Sequence, residues 1–150
     1  MIEGLRRDAF CRFGIADVAA DRQNVWIGRW LHRAGIRDHM EALKRDPRHA
    51  GTFNQLGWVW ATCPEPDVRN GTRAKECATR ACELTEWVEP GYIDTLAAAC
   101  AECGDYDEAV RWQEKAIKLL DSEERQADYR TRLELYSQRK PLRVEGNITD

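Results

Sequence analysis

The chain has 150 residues, 43% hydrophobic and 33% charged, a balance that suits one globular domain and argues against wholesale disorder. Its net charge of -3 gives no basic footprint, so general nucleic-acid binding is not expected. There is no apolar run of about 18 residues to span a membrane, and residues 1–24 lack the apolar core of a secretory signal. A cytoplasmic location with the six cysteines as free thiols is therefore expected.

Charge is spread unevenly. Residues 50–108 carry 4 Lys/Arg against 11 Asp/Glu, whereas 1–49 carry 10 against 7 and 109–150 carry 9 against 8. A solvated face is the ordinary explanation of an acidic middle, and an acidic groove that selects a basic partner is the other.

Residues 1–23 place Leu5, Phe10, Phe13, Ile15 and Val18 loosely enough to permit a helix, interrupted by Gly4 and Gly14. With Asn24 as a cap, the next segment sets Trp26, Ile27, Trp30, Leu31 and Ala34 on one helical side, and Gly35 weakens or ends that helix. Such an aromatic face could form a homodimer or pack on repeats lying upstream in a longer array. Ile36, Met40 and Leu43 continue a helical pattern to Pro47, which cannot propagate it. Residues 49–62 space Phe53, Leu56, Gly57, Trp60 and Ala61 by threes and fours.

TCPEPDVRNGTR then marks a loop, and Asn70 can cap a helix whose small face holds Ala74, Cys77, Ala78, Ala81 and Cys82. From Pro90 to Asp121 two helical patterns meet at a very short turn. Gly104 suits the left-handed end of the first, and Asp105 with Glu108 can form a capping box for the second. Asp121 and Glu124 make a second capping pair, and the helix to about Gln138 aligns Tyr129, Leu133 and Tyr136. Pro141 ends it.

Two stretches repeat. QLGWVWATC aligns with TLAAACAEC, setting Leu56 over Leu96, Gly57 over Ala97 and Trp60 over Cys100, while Ala74 and Ala81 lie over Ala109 and Ala116. Small residues recur because two helices approach closely only where Ala or Gly replaces a bulky side chain. The pattern resembles the tetratricopeptide repeat family, particularly the repeats of multi-repeat bacterial proteins, through Leu96, Ala97, Gly104, Asp105, Tyr106, Ala109 and Ala116; through Leu56, Gly57, Ala74 and Ala81; and through Ala42 and Pro47.

The resemblance implies an all-α fold, a stack of antiparallel helix hairpins (an α-solenoid) with a C-terminal capping helix. Its divisions are a poorly defined helical segment at 1–34, about two complete repeats and one degenerate repeat at 35–121, the capping helix at 122–140 and a flexible tail at 141–150. The loop between Cys63 and Arg69 is five residues longer than its counterpart and is expected to project. Gln113 stands where the family prefers an aromatic, with Trp112 beside it.

The family's function is noncatalytic protein binding on a concave face lined by the first helix of each repeat. Here that face implies a partner peptide or domain held by Asn54, Trp58 and Thr62 from one repeat and Asp94, Ala98 and Glu102 from the next. Trp58, two residues before the core-facing Trp60, would supply an aromatic anchor.

The rival chemistry is cysteine-based. Cys100 and Cys103 form a C-x-x-C, and Cys77 with Cys82 could complete a four-thiolate zinc site or a redox pair. Yet Cys82 and Cys100 fall where the repeat needs small buried residues, and the redox form of this motif belongs to a βαβ setting. His32, His39 and His49 read as surface histidines. No nucleophile and base can be paired from the sequence, so neither catalysis nor a cofactor is expected.

Overall fold

The computed structural model describes residues 25–144, with side chains from residue 32 onward, as six helices and, among the described residues, no strand. They are α1 (Val25–Arg45), α2 (Ala50–Thr62), α3 (Gly71–Leu84), α4 (Pro90–Glu102), α5 (Tyr106–Lys118) and α6 (Glu123–Ser137). The helix expected over 1–23 and the Asn24 cap lie outside the described residues. So do the side chains of Trp26, Ile27, Trp30 and Leu31, which carry the homodimer expectation.

Each helix packs on the next in sequence, and α2 also packs on α4. The short connections make hairpins of α2 with α3 and of α4 with α5. The two hairpins are stacked in the same sense: the N-terminal Gly51 of α2 lies beside Tyr92 near the start of α4, and Gly57 lies beside Thr95. Lys75 near the start of α3 meets Asp105 and Glu108 at the start of α5.

Small residues set these distances. Ala74, Ala78, Ala81, Ala109 and Ala116 are wholly buried. A Cβ on Gly57 would lie 3.2 Å from the Ala78 backbone nitrogen and from Thr95 Cγ2. Leu56, Ile93, Leu96 and Tyr136 fill the space between helices, each contributing about 1.5–3 kcal/mol by leaving water. The central helix is α4, which is buried at every position from Ile93 to Ala101. A helix apolar nearly all round needs cover on all sides. α2, α3 and α5 give most of that cover, and the C-terminal part of the chain completes it.

Several local features differ from the sequence expectation. Gly35 does not end a helix: α1 runs through it, so the boundary expected between 34 and 35 falls mid-helix, and Ile36 and Leu43 pack on the core. One interior glycine costs only about 1 kcal/mol, which those contacts offset. The 63–70 loop does not project. Cys63 and Val68 are buried with Val59, and Arg69 donates to the carbonyls of Cys63 and Pro64 at 2.8 and 3.0 Å.

Asn70 caps α3 as expected, accepting from the Arg73 amide. His49 is exposed, as read from the sequence, and caps α2 through Nδ1, 3.1 Å from the Thr52 amide, whereas His32, also read as a surface histidine, is buried on α1 at 7% exposure. At the tight turn, Gly104 takes φ +84 as foreseen, but Asp105 and Glu108 form no capping box. Their carboxylates accept instead from Lys75 Nζ at 3.3 and 2.8 Å, because the stacked α3 brings an ammonium within reach. Ser122 rather than Asp121 caps α6, accepting from the Arg125 amide.

Candidate functional site

Of the six expected surface residues, Trp58, Thr62, Asp94 and Glu102 share contacts along one seam between α2 and α4, Asn54 lies one turn before Trp58, and none of the six is exposed. The cover is the chain's own C-terminal part. α6 crosses the seam in the direction of α4, with Tyr129 near Gly91 and Arg132 between Trp58 and Asp94. Arg139 then takes a left-handed conformation, φ 58, and the Lys140 amide closes back on the Leu135 carbonyl. A helix ended in this way, with Pro141 following, cannot continue and turns back. Residues 141–144, assigned by the sequence to the start of a flexible tail, lie against the ends of α2 and α4.

At the near end of the seam, Asp94 is 3% exposed. Oδ1 accepts from Gln113 Nε2 at 2.8 Å and Oδ2 pairs with the Arg132 guanidinium. Burial pushes the Asp94 carboxyl above its ordinary pKa, against the pull of Arg132 and Gln113. Gln113 Nε2 also donates to the Tyr129 carbonyl at 3.1 Å. Gln113 thus joins α4, α5 and α6. Trp112 beside it packs elsewhere, stacked on Trp87 at 5.0 Å.

Trp58 is half-buried, and the Arg132 guanidinium sits 5.2 Å from the centre of its ring. Such a cation over an indole is attracted by the ring's negative face. Asn54 is half-buried one turn earlier, and its Oδ1 is inaccessible without a hydrogen-bond partner. Ala98, expected to face a partner, is instead 1% exposed within the core cluster. With α4 enclosed on all sides, even its inner-face positions are covered.

At the far end the Thr62 hydroxyl is turned onto its own helix, donating to the Trp58 carbonyl at 2.8 Å. Its carbonyl, left over at the C-terminus of α2, accepts from the Val144 amide at 3.0 Å. Glu102 lies between two arginines. Arg69 Nε donates to Oε1 at 3.1 Å, and Arg143 Nη1 stands 2.6 Å from Oε2. The second contact is one of charge and proximity, without an aligned hydrogen bond to that oxygen. Leu142, which precedes these anchors, packs on the core cluster.

The cysteine alternative lacks its geometry. Among the described residues, no three His, Cys, Asp or Glu side chains converge to hold a metal. Burial pushes the Cys82 and Cys100 thiols up to about 12 and those of Cys63 and Cys77 up to about 11. At neutral pH such thiols carry little thiolate, the form that attacks or ligates. Cys100 donates to Glu108 Oε2 at 3.7 Å from inside the core, whereas Cys103 is exposed. The motif therefore places its two sulfurs in different surroundings. A depression on the outer side of α3 is lined by Lys75, Thr79, Arg80, Glu83 and Cys103.

Arg132 and Arg143 are the residues that sequence reasoning missed. The signal for Arg132 was present: it lies three residues after Tyr129 and four before Tyr136, on the apolar face of α6. No described helix is long and apolar enough to cross a membrane. No protein-family model matches the chain, and no similar curated protein was found.

Proposed function

We propose that the chain is a noncatalytic protein-binding module, a tetratricopeptide-like stack of helix hairpins in the cytoplasm. It holds a partner peptide or domain along the seam between α2 and α4. One observation carries this reading: Trp58, Asp94 and Glu102 on two stacked helices face one continuous seam, and all three are engaged by arginines from a later, separate part of the chain. An aromatic ring and two partly desolvated carboxylates, aligned over several helical turns, form a recognition surface rather than a reaction centre. Of the acidic middle of the chain, Asp94 and Glu102 are the carboxylates on this seam, whereas Asp67, Glu76, Glu83, Glu86, Glu89, Asp105 and Asp107 are exposed to solvent.

A photo-reactive residue at Asn54 of the full chain, with one at Thr79 on the outer side as control, tests the assignment. Cross-linking of a cellular protein from position 54 and not from 79 is expected. Equal cross-linking from both, or cross-linking from 79 alone, would remove the seam as the binding face.

A further inference from the structure

We propose that the far end of the seam is a socket for a short Leu-Arg segment of a partner protein in extended conformation, and that Leu142, Arg143 and Val144 fill it as a displaceable internal ligand. This inference rests on the binding role argued above and names the chemistry of the partner.

The socket is built by the folded body. Arg69 is fixed by the carbonyls of Cys63 and Pro64 and holds Oε1 of Glu102, which leaves Oε2 directed at the incoming segment. The Glu102 side chain is 15% exposed, so its charge acts where water screens it poorly. Next to it stands the Thr62 carbonyl, which accepts from the Val144 amide, and Leu142, one residue before Arg143, packs on the core cluster. Three consecutive residues meet three different demands: Leu142 the core cluster, Arg143 the carboxylate and Val144 the carbonyl.

The same features show why the internal segment can be displaced. Oε2 of Glu102 is buried and has no aligned hydrogen bond, although a guanidinium can meet a carboxylate with two parallel ones. The internal arginine, tethered a few residues after α6, meets it at 2.6 Å without that alignment. An arginine free of the tether can adopt the better geometry. What protects the internal segment is its effective concentration, about millimolar for a short tether. Removing its arginine therefore opens the socket to a competitor.

The test uses the full chain and a labelled synthetic peptide of residues 139–144, RKPLRV, read by fluorescence anisotropy. The Arg143→Glu chain, whose tail is repelled by Glu102, is expected to bind the peptide at least about tenfold more tightly than the unaltered chain. Arg143→Ala in the chain should act in the same direction without adding a charge. In the peptide, Arg143→Ala removes the carboxylate's partner and Val144→Pro removes the amide that Thr62 accepts, and each should abolish the gain. Glu102→Gln introduced into the Arg143→Glu chain should do likewise.

Equal binding by the altered and unaltered chains, no binding by either altered chain while circular dichroism shows it folded, or indifference to Val144→Pro would overturn the proposal. Should the peptide fail while cross-linking from Asn54 succeeds, the Leu-Arg socket falls and the binding face stands. Failure of both removes the face as well.

Discussion

Asp94 shows how a buried carboxylate is held by its own chain. It is a carboxylate in the most enclosed helix of the fold, satisfied by Gln113 on one oxygen and Arg132 on the other. Removing Arg132 would leave that charge buried with one neutral donor. Arg132→Ala should therefore lower unfolding stability by about 2–3 kcal/mol, below the cost of breaking a fully dry pair because Arg132 keeps contact with water. Asp94→Asn should cost less, and the double substitution less than the two single ones together, a coupling that a denaturation cycle measures. At Gly104, φ +84 strains any residue with a side chain, so Gly104→Ala should cost about 1 kcal/mol although nothing within 4 Å opposes the methyl. Thiol titration of the folded chain should show Cys103 reacting ahead of Cys82 and Cys100, which burial holds protonated.

Between elements, alanine spacing governs the hairpins. Ala109→Leu should overpack the contact of α5 by about 1–3 kcal/mol, and an unchanged melting temperature would count against the alignment of the two hairpins. Lys75 joins the starts of α3 and α5, and its hydrogen bond and charge hold the Glu108 carboxyl below its ordinary 4.5. Glu108 binds its proton less readily when folded than when unfolded. Its contribution is thus present above pH 4.5 and is lost as pH falls through the lower folded value. Lys75→Met should flatten that acid-side loss of melting temperature by a small amount, since the pair is half-exposed.

Apart from the continuity of α1 through Gly35, the described helices were legible in the sequence because apolar period, Asn70, Gly104 and Pro47 act locally. The capping box expected at Asp105 and Glu108 does not form, and its loss could not be read because the competitor Lys75 lies 30 residues away in sequence. The seam residues could be read from the repeat, but their covering could not, since Arg143 meets Glu102 only after Arg139 has turned the chain back.

At the scale of the molecule, the two stacked hairpins leave one long seam, and the chain closes it with its own end. The closure explains why α4 can be apolar nearly all round and still carry an acid. The loop at 63–70 lies flat independently of that closure, since Cys63 and Val68 are buried and Arg69 holds Glu102 of α4. Because α2 and α4 run in the same direction, their C-terminal carbonyls collect at one end of the seam, where Glu102 adds a full negative charge. The seam thus has polarity. If the seam holds a basic segment, as proposed above, that segment has one favoured heading, with its cation toward the helix ends, and raising ionic strength should weaken that preference more than it weakens the apolar contacts beside it.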